Sequence, residues 1–295
     1  SEMILGGNGI GESNLEKLYK EDRTVASYIK ARYDRARFAK LGSETSYFLN
    51  VKEFNNKMPS NLYLLPGDAD LDICSSIIDY LALAPERHAW MKSRKILFDL
   101  IDSFDQANRN SQNVFFIDCN PSFANYTQLG ILSADQMIIP CTADSSSIKG
   151  INNLLRLIYG LKIGGNLSEE SVFDVFHTKA KEAGLSLPKI HSFIINKART
   201  TSKSITAAYR AHVKEIENLV SNVSGEYPDL FNEQNHNTPM SVKDGNNIAV
   251  VLNHNGQPLS SMNYGEYTIY DTSTQVNKDQ LSSLLENIKD IAEKL

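Results

Sequence analysis

The chain has little of what builds covalent or metal frameworks. Its cysteines are Cys74, Cys119 and Cys141, an odd number with no C-x-x-C spacing. That excludes a disulfide framework and a cysteine-ligated zinc site as organising features. Reduced, mostly buried thiols of a cytoplasmic protein are the expectation. His88, His177, His191, His212, His236 and His254 never fall at H-x₃-H spacing, so no metal centre is expected from them. No apolar run reaches the roughly 18 residues that suggest a membrane-spanning helix, and no signal-peptide pattern opens the sequence. An excess of positive charge is also missing. The net charge of −5 excludes a generally polycationic nucleic-acid binder, though not a local basic patch.

What is present is ordinary for a soluble globular chain, with 41% apolar and 22% charged residues. A length of 295 residues suits one large α/β domain or two smaller ones. The stretch around which the rest is organised is Val114–Ser122, VFFIDCNPS. A short apolar, β-prone run that meets an acid and a turn predicts a strand buried on both faces, as in a parallel sheet. Asp118 then stands at its carboxyl end, where open α/β sheets place their ligands. An acid there can help hold Mg²⁺ or orient an attacking water. It can equally do no more than cap the following turn or helix.

Two further runs share that character, QMIIPC at 136–141 and IHSFIIN at 190–196, with a shorter strand expected in NLYLLPG at 61–67. Apolar spacing predicts helices over 14–40 (broken near Thr24), 85–107, around 129–132, 148–159, 206–220, 244–256 and 278–295. By hydrophobicity Ile248–Leu252 could be a strand, but Asp244 as a cap and Gly256 and Pro258 as a stop fit a helix over 244–256 better. Strands alternating with helices mean βαβ units and a parallel sheet. The polar stretch 221–247 is expected to be a long loop.

Some motifs are misleading. Gly6–Ser13 (GGNGIGES) has the outline of a phosphate-binding loop, but Glu12 stands where that motif needs a lysine. A carboxylate there repels phosphates, so a flexible glycine-rich turn is the expectation. Asp68, Asp70 and Asp72 have calcium-loop spacing without the glycine and glutamate such a loop requires. The basic run Lys30, Arg32, Arg35, Arg37 and Lys40 is expected to be a solvated helix face. The last helix mixes acids and bases on its polar face, unlike a membrane-binding helix.

Four stretches carry a family resemblance. Ile117–Ser122 (IDCNPS) resembles the I-D-C-P-P-S motif of the ParA/MinD family of deviant Walker P-loop ATPases. NLYLLPGDADL at 61–71, ADQMIIPCTADSSSIKGI at 134–151 and IINKART at 194–200 resemble further blocks of that family in order and spacing. The ParA branch, of plasmid partition and chromosome segregation, is the closer one. The resemblance implies an α/β, doubly wound, mostly parallel sheet flanked by helices, a P-loop NTPase-like single domain over 1–295. It implies ATP and Mg²⁺ as cofactors, with Asp118 as catalytic switch acid near the metal and its water. Asn196 is implied to recognise adenine, with Thr142 and Asp144 near the nucleotide or dimer interface. The same resemblance implies a homodimer, non-specific DNA binding, a ParB-like centromere-binding or adaptor partner, no membrane, and a cytoplasmic or nucleoid-associated location. Lys197, Arg199, Lys203, Arg210 and Lys214 are the DNA-facing candidates; a solvated helix of mixed charge is the alternative. Two departures matter. Asn120 replaces the motif's first proline. The family's K-G-G-x-G-K-[ST] segment does not occur, so the chain is expected to begin after it, without the P-loop strand and first switch. A non-catalytic interaction module that has lost ATP hydrolysis is therefore the alternative function.

Overall fold

The computed structural model describes residues 1–161, 175–198, 207–232 and 238–294. They form two compact units, one of residues 1–133 with 247–278 and one of residues 134–246 with 279–295.

The first unit opens with α1 (Ile10–Lys20) and α2 (Val25–Ala31), separated at Thr24. Thr24 is extended and its hydroxyl accepts the Ser27 N–H at 3.1 Å, so the expected break is a helix cap. A π-turn, Arg32–Ala36, follows. Here the basic run departs from a solvated face. Arg32 is fully buried and donates to the Tyr28 hydroxyl at 2.8 Å and to Asp99 at 3.1 Å. A buried guanidinium is tolerated because these partners answer its charge and donors. Lys30, Arg37 and Lys40 pair with Asp70, Glu86 and Asp102.

Two short strands, β1 (Leu49–Asn50) and β2 (Tyr63–Leu64), pair antiparallel. Then come α3 (Leu71–Ala82), α4 (Ala89–Arg94), α5 (Ile96–Ala107) and α6 (Asn125–Ile131). The single helix expected over 85–107 is thus two, parted at Lys95, whose ψ of 1° leaves the helical range. Tyr28, Ile29, Cys74, Ile78, Ile96 and Leu100 belong to the core that α2, α3 and α5 share.

Val114–Asp118 does not form the expected strand. Among the described residues, Val114–Asn120 makes no backbone–backbone hydrogen bond. Burial alternates along it. Phe115 and Ile117 are half-buried, while Val114 is 71% and Phe116 78% exposed. The Phe115 ring meets those of Phe48 and Phe104 at 6.4 and 6.0 Å between centroids. Apolar sequence calls for burial, but a ladder also needs a neighbour with matching N–H and C=O groups.

The second unit carries β3 (Gln136–Cys141), α7 (Ser145–Tyr159), α8 (Val175–Glu182), β4 (Lys189–Ala198), α9 (Ala207–Glu226) and β5 (Met240–Lys243). The strands form a parallel sheet in the order β3-β4-β5, with Cys141 opposite Ile195 and Ile194 opposite Met240. β4 is central, and Ile190, Phe193 and Ile195 are buried along it. α7 buries Ile148, Ile151, Leu155 and Ile158 on one side and ends at Gly160, which takes the left-handed conformation of a helix stop. The architecture is α/β, a parallel sheet flanked by helices. Within the polar 221–247 stretch, α9 runs on to Glu226 and β5 occupies Met240–Lys243.

The chain then supplies the first unit with α10 (Asn246–Asn255) and a hairpin of β6 (Gly265–Ile269) and β7 (Thr272–Val276). Asp244 is not the N-cap of α10: it lies two residues ahead and accepts the Asn246 N–H at 3.1 Å, an Asx turn that leads into the helix. The glycine-rich start is explained here. Asn8 N–H donates to the His254 carbonyl at 3.0 Å, and a Cβ on Gly7 would collide with the backbone of His254 and Gly256. The glycines permit close backbone packing against the end of α10, which is neither a free turn nor a phosphate cradle. The last helix, α11 (Lys278–Ala292), buries Leu281, Leu284 and Ile291.

Candidate functional site

All three strands of the parallel sheet end beside one cavity. It measures about 370 Å³ and is lined by Thr142, Ala143, Asn196, Lys197, Ala208, Tyr209, His212 and Asp244. Thr142 follows β3, Asn196 and Lys197 lie at the carboxyl end of β4, and Asp244 follows β5. Ala208, Tyr209 and His212 come from the first turns of α9. A parallel sheet points all its carboxyl ends one way, so this is the crevice in which such sheets hold ligands. The volume lies within the usual small-molecule range of about 300–1,000 Å³.

Local backbone sets the key side chains. Lys197 has φ 54°, a left-handed conformation uncommon for lysine, and its N–H donates to the Asn196 side-chain oxygen at 2.8 Å. The Asn196 amide oxygen is thereby engaged next door, and its NH₂ donates to none of the described residues. The His212 ring nitrogen Nδ1 lies 3.6 Å from Glu215, just beyond hydrogen-bond length.

The loop after β3 is a worked helix cap. Asp144 accepts the Ser147 N–H at 2.8 Å, and the Thr142 hydroxyl donates to the same carboxylate. The Thr142 N–H donates to the Ser147 hydroxyl at 3.1 Å. The Thr142 hydroxyl, then the Ser147 N–H, hold the Asp144 carboxyl below the usual carboxylate range. Thr142 lines the cavity, while Asp144 is not among its lining residues.

The other expected positions fall as follows. Asp118, in the first unit, is exposed and accepts no hydrogen bond from any described residue. Beside it, Asn120 donates to the Tyr126 hydroxyl at 3.4 Å. Lys197, Arg210 and Lys214 are exposed, with no carboxylate in ion-pair distance among the described residues. Arg210 and Lys214 are four apart on α9, with Glu217 three further on along the same face. Arg199 and Lys203 lie outside the described residues. Tyr209, His212 and Asp244 were not anticipated as cavity residues. Only for Asp244 was there a signal, the Val242-Lys243-Asp244 run, which repeats in weaker form the apolar-strand-to-acid pattern of Ile117-Asp118.

The donor chemistry suits the implied cofactors. No group of three or more acids, histidines or cysteines that could enclose a metal ion exists among the described residues. Mg²⁺, however, takes one or two carboxylates and draws its remaining ligands from phosphate and water. One exposed, unengaged carboxylate at Asp118 fits that need. For a nucleobase, the cavity offers an amide donor, an imidazole and a phenol ring.

Residues 47–167 match the model of a family described as an AAA domain. That range contains Asp118, Thr142, Asp144 and three of the four stretches on which the resemblance rests; Asn196 and Lys197 lie beyond it. No curated protein and no solved structure matches the chain. Among the described residues, no helix is long and apolar enough to cross a membrane.

Proposed function

We propose that the cavity at the ends of β3, β4 and β5 holds the base of ATP, and that the chain works as a ParA-like partition ATPase. The observation that carries this reading is the convergence of Thr142, Asn196 and Asp244 from three parallel strands on one cavity. The family match over 47–167 supports it from the other side of the sequence. In this reading the Asn196 NH₂ donates to the base, and Tyr209 and His212 lie against its plane. By the family resemblance, Asp118 of the first unit is the acid that would hold Mg²⁺ through water. The chemistry that Mg²⁺ would supply when bound is to offset phosphate charge. ATP binding drives dimerisation in this cycle, and Lys197, Arg210 and Lys214, with Arg199 and Lys203, face DNA phosphates. A ParB-like adaptor couples the cycle to cargo, in the cytoplasm or on the nucleoid.

Calorimetric titration with Mg-ATP tests the base site. Asn196→Ala should weaken binding about tenfold, the equivalent of one hydrogen bond of roughly 1.4 kcal/mol. Equal affinity of the variant sinks the assignment. For DNA, Arg210→Glu with Lys214→Glu should weaken a mobility shift and flatten its salt dependence by about two contacts. Binding unchanged across the salt series removes α9 from the DNA face.

The second reading is a non-catalytic interaction module. One observation favours it: the glycine-rich Gly6–Gly11 turn is engaged in packing against His254 and Gly256, and Glu12 opens α1 with negative charge. Absence of any Mg-ATP heat would select this reading over the first.

A further inference from the structure

The outward side of α3 mixes exposed apolar side chains with the polar Asp72, Ser76 and Asp79. Cys74, Ile78 and Leu81 face the core and are buried. On the other side, Ile73 is 57% and Tyr80 61% exposed, and Leu83 at the helix cap is 84% exposed. Ile73 and Tyr80, seven residues apart, lie on one line along the helix, and half-buried Ile77 borders it. The Tyr80 ring is held edge-on by Tyr33 at 5.9 Å.

The stripe has one charged edge. Asp72 and Asp79, again seven apart, run along the side away from Ile77, and both are exposed. Asp72 accepts weakly from the Tyr126 hydroxyl at 3.4 Å, and Asp79 stands 3.7 Å from the buried Arg94 guanidinium. Upstream, Asp70 is paired with Lys30, and Asp68 accepts the Asp70 N–H. Two cations among four carboxylates leave the edge negative.

That edge decides between occupants. In an antiparallel pairing of two copies, the two-fold axis sets the same edge of each helix together, so Asp72 and Asp79 meet their own images. A parallel pairing sets the acids against the Ile77 and Tyr33 edge, where the cations that flank Tyr33, Lys30 and Arg37, are already paired with Asp70 and Glu86. Like charges face to face suppress a wrong partner. We propose that the outward stripe of α3 docks an amphipathic helix of another polypeptide, with apolar residues at three- and four-residue spacing and Lys or Arg along the flank that meets Asp72 and Asp79. The apolar line supplies affinity and the acidic edge sets orientation.

The test uses the whole chain and two synthetic helical peptides of about 18 residues, one of Leu and Lys and one of Leu and Glu with the same pattern. Hydrogen exchange should show protection of residues 71–84 by the Lys peptide, declining with salt, and none by the Glu peptide. Ile73→Ser with Leu83→Ser should weaken the Lys peptide at least tenfold with the circular dichroism unchanged, since both side chains are exposed. Asp72→Asn should weaken it a few-fold and reduce the salt dependence. Absent protection, protection centred elsewhere, or equal protection by the Glu peptide overturns the proposal. So does concentration-dependent self-association in sedimentation that Leu83→Ser abolishes, which would make the face an interface between copies.

Discussion

Two stretches of nearly the same character end in different states. IHSFIIN becomes β4, central in a parallel sheet, with Phe193 and Ile195 buried and hydrogen-bonded neighbours on both sides. VFFID packs Phe115 and Ile117 inward, leaves Val114 and Phe116 exposed, and finds no ladder partner among the described residues. Hydrophobicity therefore states that a segment is to be covered, and the neighbour decides whether it becomes a strand. The difference also bears on chemistry. The residue at the end of β4, Asn196, is held by a fixed backbone beside a cavity, whereas Asp118 follows a backbone without ladder bonds.

The contrast is sharpest in stability. Phe193→Ala removes a fully buried ring from the middle of the sheet and should cost about 3–5 kcal/mol in urea unfolding. Phe116→Ala removes an exposed ring and should stay within about 0.5 kcal/mol. A loss of similar size at both positions would show that the Val114 and Phe116 face is covered in solution, and the comparison would fall.

A smaller effect reports how the VFFID segment is held. A Cβ on Gly130 of α6 would stand 2.7 Å from the Cys119 sulfur and 3.2 Å from the Ile117 side chain. Alanine in place of a helical glycine otherwise stabilises by up to about 1 kcal/mol. Overpacking costs about 1–3 kcal/mol, so Gly130→Ala should be destabilising by roughly 1 kcal/mol. Adding Cys119→Ala removes the sulfur and should recover most of the loss, a coupling that a double-mutant cycle measures. Additive effects would mean that α6 does not rest on Cys119.

Much of this was legible in sequence because the signals were local. Thr24 caps α2, Asp244 makes the turn into α10 and Gly256 follows its end, each a side chain or a backbone acting on its own neighbours. QMIIPC and IHSFIIN read as strands because both have partners. What escaped depends on tertiary placement. Arg32 sits in a basic run, yet Tyr28 and the distant Asp99 take it inside. The β6–β7 hairpin turns on Tyr270 and Asp271, both at positive φ, without the Asn-Gly pair that announces such turns. Tyr209 and His212 join the cavity only because α9 starts beside the end of β4, and Asp244 only because β5 pairs there.

The smallest effect separates charge from shape at the cavity rim. Asp144→Ala leaves the Ser147 N–H without its cap and should cost about 1 kcal/mol at neutral pH. Asp144→Asn keeps an acceptor oxygen and loses only the charge facing the α7 N-terminus, about 0.5 kcal/mol. The sign of the pH dependence follows from the direction of the shift. The Asp144 carboxyl is held below its ordinary value, chiefly by the Thr142 hydroxyl. Its contribution is therefore fully present above the unfolded value of about 3.9 and is lost as pH falls through the lowered folded value. Urea midpoints of the native chain and Asp144→Asn should differ at neutral pH and converge under acid. A gap that persists after protonation would show that the amide disturbs the loop itself, and that the cap at the end of β3 is set by shape, not charge.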